Sequence, residues 1–151
     1  MAAISRTIGS LMIYASVDDI DKRYGEDFLY TIADRNQDDT LDTAAIERSL
    51  SDASDLMNSY LATRYTLPIM ETLPILSRAC VDIAVYWLSE DAGVATEERR
   101  TRYDDAISWL ERVTAGKTDL PIQQPDEPTK TPGGLVSYSP RLFTRQNLRG
   151  W

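Results

Sequence analysis

The sequence predicts an all-α fold, a small helical bundle with an extended, proline-rich C-terminal arm. Apolar residues recur at spacings of three and four through the first 116 residues, which is the period of a helix face. Capping residues and glycines separate these stretches. Five of the seven prolines lie after residue 116, where they prevent a further helix. We therefore divide the chain into a helical body, residues 1–116, and an extended C-terminal docking arm, residues 117–151.

Two short helices are expected first. Ser16 can cap a helix whose first turn carries two aspartates, and negative charge is favoured at that end of the helix dipole. Gly25 ends this helix. A second short helix is expected over residues 26–33, and the polar residues 34–40 after it have the composition of a loop.

A long third helix is expected from Thr43 to about Tyr65, because its apolar residues share one helix face. These apolar residues are Ile46, Leu50, Ala53, Met57, Tyr60 and Leu61. The pairs Leu67-Pro68 and Leu73-Pro74 then enclose a compact turn, because each proline biases the residue before it away from the helical conformation.

The fourth expected helix, residues 75–89, is apolar nearly all round, which is typical of a helix at the centre of a bundle. We expect Ile83 and Trp87 to lie in the core. Thr96 can cap a fifth helix with two glutamates in its first turn, and Gly116 ends that helix.

The arm ends in a segment in which apolar side chains lie among arginines. Residues 141–151 contain no acid, and residues 116–151 carry a net charge of +2 against −10 for residues 1–115. Arginine and aromatic side chains are frequent anchors of protein interfaces, whereas three arginines alone hold nucleic acid only weakly. The predicted partner-binding residues are Arg141, Leu142, Phe143, Arg145, Leu148, Arg149 and Trp151.

The composition excludes several kinds of active site. The chain has no histidine, so catalytic triads with a histidine base and ordinary zinc sites are ruled out. Cys80 is the single cysteine, and its apolar neighbours indicate a core position. No glycine-rich phosphate loop is present, and the paired carboxylates lie at helix starts or on polar faces. We expect no enzymatic activity, no cofactor, no bound metal and no membrane span.

The acidic loop supports an alternative function. From residue 34, oxygen-bearing side chains alternate as they do in an EF-hand calcium loop. The sixth position, where an EF-hand has glycine, is Asp39, and the twelfth, where it has a bidentate glutamate, is Ala45. The simpler interpretation is a solvated loop that caps the third helix. The alternative is a small acidic binding or regulatory protein built around an EF-hand-like loop at residues 34–45.

Several segments together carry a family resemblance. They are residues 14–20, residues 53–68, the Leu73-Pro74 turn and residues 141–145. The most specific of them reads Tyr60-Leu61-x-x-Arg64-Tyr65-x-Leu67-Pro68. With these segments the chain resembles the head-tail joining proteins of Mu-like tailed bacteriophages over almost its whole length.

That resemblance implies a structural virion protein, a head-tail adaptor or connector that completes the head by forming a ring between the portal and the tail. The ring would be a homo-oligomer, a dodecamer by resemblance, that binds the phage portal protein and a tail-side stopper or terminator protein. Genomic DNA would pass through the lumen without specific binding. The expected location is the head-tail interface of the virion, after assembly in the host cytoplasm.

We predict that calcium binds this chain weakly, because Ala45 offers no side-chain oxygen where an EF-hand has two and Asp39 replaces the glycine of the turn. A calorimetric titration of the full chain with calcium checks this. Sub-micromolar binding would contradict the prediction and favour the regulatory alternative.

Overall fold

The computed structural model describes residues 13–122, which form five α-helices and no strand, so the predicted all-α fold is confirmed. Helix α1 spans Val17–Tyr24, α2 spans Glu26–Ala33, α3 spans Thr43–Leu61, α4 spans Pro74–Asp91 and α5 spans Glu97–Thr114. The three longer helices pack together, and α1 and α2 lie against them.

The helix starts follow from local hydrogen bonds that the sequence indicates. The Ser16 hydroxyl accepts from the Asp19 N–H, and the Asp19 carboxylate accepts from the Ser16 N–H at 2.8 Å, a reciprocal cap at the start of α1. The caps of α3 and α5 are simpler: the Asp42 carboxylate accepts from the Ala45 N–H, and the Thr96 hydroxyl accepts from the Arg99 N–H. Gly25, with φ of 89°, joins α1 directly to α2.

Helix α3 is shorter than the sequence predicts. It ends at Leu61, and the chain then turns, with the N–H groups of Arg64 and Tyr65 both bonded to the Leu61 carbonyl. Tyr65 remains buried without being helical, because the turn folds it back onto the bundle. The apolar spacing that predicted a longer helix therefore indicates that Tyr65 is buried, but not that it is helical.

The core lies around α4, which packs against both α3 and α5 and also touches α1 and α2. The largest fully buried side chains include Ile20 of α1, Ile32 of α2, Met57 of α3, Ile83 of α4 and Leu110 of α5. Each helix therefore contributes at least one side chain to a single core. Within the described residues no helix is both long and apolar enough to cross a membrane.

The prediction for α4 is right for Ile83 and wrong for Trp87. Ile83 is fully buried, whereas Trp87 is only half-buried and lies beside the ring of Tyr103, with 6.3 Å between ring centroids. Because α4 is apolar nearly all round, its sequence does not show which apolar residue faces outward. Trp87 therefore covers the edge of the core and does not fill it.

We predict that Ile83→Ala lowers the free energy of unfolding by about 2–5 kcal/mol, because it removes a fully buried side chain between packed helices. Denaturant unfolding followed by circular dichroism measures this. Ile75→Ala, in the same helix at a position 39% exposed, is the matched control and is expected to lose less. Equal losses would mean that α4 is not the core helix.

Candidate functional site

The predicted partner-binding residues lie outside the described residues. Of the predicted arm, the structure describes residues 117–122, the part that leaves the body. This root of the arm contacts Arg64 and Tyr65, which follow the end of α3. We call Arg64, Tyr65 and the arm residues 118–120 the arm-root clamp.

Arg64 holds the end of α5 and the start of the arm together. One guanidinium nitrogen, Nη1, donates to the Val113 carbonyl at 2.6 Å and to the Thr118 carbonyl at 3.2 Å. The other, Nη2, donates to the Asp119 carboxylate at 2.7 Å. A guanidinium can make these bonds at once because its N–H groups form a rigid planar fork. The bond to Asp119 is also the main cause that raises the pKa of Arg64.

Tyr65 provides the buried contact of the clamp. Its hydroxyl accepts a hydrogen bond from the Leu120 N–H at 2.9 Å, and both residues are buried. Ile122 also packs against the core. A buried N–H must find an acceptor, so this bond fixes the backbone position at which the arm departs.

At the end of α5 the chain turns toward Arg64. Gly116 has φ of 74°, and its N–H donates to the Val113 carbonyl, while the Lys117 N–H donates to the Arg112 carbonyl. A side chain at residue 116 would be strained at this φ, so glycine is suited to turn the chain toward Arg64.

The sequence placed Arg64 and Tyr65 in its most specific family segment but gave them no role. Their partners lie about 55 residues away in the chain, so no local pattern connects them. The local signal was their position just before Leu67-Pro68, but the apolar spacing predicts a helix to about Tyr65 and so hid that both residues lie beyond the end of α3. Polar side chains at such a helix end often bond to backbone from another segment.

The acidic loop is organised by its own hydrogen bonds. The Asp34 carboxylate accepts from the N–H groups of Asp38 and Asp39, both at 3.2 Å, and the Asp38 carboxylate accepts from the Thr40 N–H at 3.0 Å. The Asp42 carboxylate accepts a hydrogen bond from the Ala45 N–H at the start of α3. In the part of the chain that the structure describes, no three acidic or cysteine side chains lie together as a metal site would require. The carboxylates of Asp34, Asp38 and Asp42 therefore accept hydrogen bonds from backbone N–H groups of the loop and of α3.

Asp82 is a buried carboxylate in the middle of α4. Burial raises its pKa, while the positive charges of Arg23, Arg78 and Arg102 oppose that shift. Arg23 Nη2 forms an ion pair with Asp82 Oδ1 at 3.1 Å, and this oxygen has no hydrogen-bond partner among the described residues. Arg102 donates to the hydroxyl of Tyr24. This cluster ties α1 to α4 and α5 by charge.

The single thiol is placed where it cannot act as a nucleophile. Cys80 is fully buried, and burial raises its pKa to about 11. Its sulfur lies 3.4 Å from the Ser54 hydroxyl oxygen, which also accepts from the Tyr14 N–H. The thiolate is the reactive form, so Cys80 has a packing role.

Comparison with known proteins gives a family for this sequence. The sequence profile of the family described as Bacteriophage Mu, Gp36 matches residues 14–137. A protein of Haemophilus influenzae called Mu-like prophage FluMu protein gp36 is 34% identical over 129 residues, which cover 85% of this chain and 90% of that protein. Gene product J of Escherichia phage Mu is 33% identical over 138 residues, which cover 89% of this chain and 96% of that protein.

We predict that Tyr65→Phe destabilises the body by about 1–3 kcal/mol, because it leaves the buried Leu120 N–H without an acceptor. Hydrogen exchange at the Leu120 amide should become faster than in the unchanged chain. Tyr60→Phe is the control, because the Tyr60 hydroxyl makes no hydrogen bond among the described residues. The same exchange rate in both variants would show that the clamp does not hold the arm.

Proposed function

The chain belongs to the Bacteriophage Mu Gp36 family, and from that premise we propose that it is a structural virion protein, the head-tail adaptor that joins a filled phage head to its tail. In this proposal identical copies form a ring between the portal and the tail-side stopper or terminator protein. The protein acts by binding its neighbours and catalyses no reaction.

One observation of the structure carries the proposal beyond family membership. The arm-root clamp fixes the arm to the body through Arg64 and Tyr65, in the segment that is most specific for the resemblance. A body whose arm leaves at a fixed place can contact one partner with its helices and another with its arm. That is the requirement for a subunit that joins two different structures.

The charge distribution supports the same function. The chain has a net charge of −8, and its positive excess lies in the arm. An acidic body binds phosphates weakly, which suits a ring through which DNA must slide. Copies with this net charge repel each other, and contact between the acidic body of one copy and the basic arm of the next would offset that repulsion.

Ring closure sets a geometric condition on the contacts. Identical subunits form a ring when each uses one surface to contact a different surface of the next, and when the rotation between them closes. An arm that reaches from one copy to the next fulfils the first part of this condition. Its contact is of the head-to-tail kind, because the arm of one copy meets the body of another.

Mass spectrometry of purified particles tests the proposal most directly. The chain should be present in several copies per particle, and heads from a phage that lacks the gene should accumulate filled but without tails. Absence of the chain from particles would overturn the proposal. The same gene-deleted phage is used for the complementation experiment that follows.

We predict that a chain ending after Ile122 remains helical but fails to join heads to tails. The cut is placed after Ile122 because Leu120 and Ile122 pack against the body. Circular dichroism of the shortened chain and complementation of the gene deletion measure the two effects. A full-length chain with Phe143→Ser and Trp151→Ser separates the loss of anchors from the loss of length. Normal infectious particles from both variants would contradict the role of the arm.

A further inference from the structure

The residues just before α1 are not helical and lie against α3. We call Ile13, Tyr14 and Ala15 the strap. The Tyr14 N–H donates to the Ser54 hydroxyl oxygen at 3.1 Å, and the Tyr14 hydroxyl donates to Asn58 Oδ1 at 2.5 Å. Among the described residues no backbone–backbone hydrogen bond joins the strap to the body. Bonds to side chains of α3 therefore hold it in place.

The surface beneath the strap is polar. Ser54 is 1% exposed and Asn58 is 4% exposed, and we call these two residues of α3 the polar seam. Asn58 Nδ2 has no hydrogen-bond partner among the described residues. A buried donor without an acceptor costs free energy, and water satisfies such a donor once it is uncovered. The strap therefore rests on a surface that gains hydrogen bonds when the strap leaves it.

Cys80 of α4 lies next to the same contact. Its sulfur is 3.4 Å from the Ser54 hydroxyl oxygen. Burial raises the pKa of Cys80 to about 11, and the Ser54 hydroxyl and the strap backbone at residues 14 and 15 oppose that shift. The strap is therefore beside the sulfur, which solvent does not reach while the strap is closed.

The start of α1 does not depend on the strap. Ser16 and Asp19 cap the helix through hydrogen bonds to each other, and none of these bonds involves residues 13–15. Helix α1 also buries Ile20 in the body. The cap and the helix can therefore stay intact when the strap leaves α3, so the opening ends at Ser16.

A cleft beside the strap leaves it incompletely packed. The cleft has a volume of about 360 Å³, and residues 13–17 lie on one side of it, with Glu47 and Leu50 of α3 on the other. Ala15 is the only strap side chain that is buried. Segments with few buried apolar contacts open at lower free energy than the core does.

We propose that the strap opens and closes on the body as a unit that turns at Ser16, and that its open state exposes the polar seam and Cys80. Such local openings occur in folded proteins without global unfolding. The surface of α3 that carries Ser54 and Asn58 is then accessible only in the open state. The inference goes beyond the adaptor function and does not depend on it.

Alkylation of the single thiol tests the proposal in the purified full chain. Iodoacetamide reacts with the thiolate, so Cys80 is alkylated when an opening brings its sulfur into solvent. Mass spectrometry measures the rate at increasing urea, below the concentration at which the chain unfolds. The effect of urea scales with the surface that an opening exposes. Because the strap is short, the rate is expected to stay nearly constant across this range.

Three variants identify the element that opens. Tyr14→Phe removes the hydroxyl that bonds to Asn58 and is expected to raise the rate without urea by roughly three- to tenfold. Tyr60→Phe, the same exchange at a hydroxyl without a hydrogen bond among the described residues, should leave the rate unchanged. Val113→Ala destabilises the body from α5, which among the described helices contacts α3 and α4 but not α1. It should leave the rate unchanged as well, because the closed and open states lose the same contacts.

An alkylation rate that rises with urea as steeply as unfolding does would show that Cys80 is exposed only in the unfolded chain, and would overturn the proposal. A rate that Tyr14→Phe leaves unchanged would assign the opening to another element and overturn it too. Hydrogen exchange tests the hinge. After correction for intrinsic rates, the Tyr14 amide should exchange faster than the Ile20 amide of α1. Equal rates would mean that α1 leaves with the strap, which contradicts a turn at Ser16.

Discussion

Helix α4 packs along its length against α3 on one side and α5 on the other, and this burial holds the remaining elements in place. Its apolar side chains, with Ile83 at the centre, provide the surface on which α1 and α2 also rest. Burial of apolar area is the main favourable contribution to folding, so a helix that is buried on most sides organises a body this small. The arm-root clamp depends on this packing, because it joins the segment after α3 to the end of α5 and the root of the arm.

Asp82 places a carboxylate within this largely apolar contact. Asp82 lies on α4 among apolar neighbours, and burial raises its pKa although three arginines surround it. Taking a carboxylate out of water is expensive, and an ion pair offsets that cost only when hydrogen bonds satisfy its oxygens. In Asp82 one oxygen accepts none.

Local features of the fold could be predicted from the sequence, and features that join distant segments could not. Ser16 and Gly25 act on their own neighbours, so the bounds of α1 follow directly from residue type. The prediction that Trp87 lies in the core was wrong, because the sequence of a helix that is apolar nearly all round does not show which side faces solvent. The partners of Arg64 and Tyr65 depend on how α3 and α5 approach each other, and Asp82, a lone acid in an apolar stretch, was visible in the sequence only as an irregularity. The binding residues predicted for positions 141–151 stay a prediction.

The arm-root clamp joins residues that are made at different times. Arg64 and Tyr65 leave the ribosome long before Asp119 and Leu120, with which they bond, so the clamp closes only after α5 has been synthesised and packed. Contacts within the hairpin of α4 and α5 are local and form early, whereas the clamp must close a loop of about 55 residues. The arm is therefore set in its direction last, when the rest of the body is complete. A chain in which α5 has not yet packed cannot form these bonds, so the root of the arm takes its position only on a completed body.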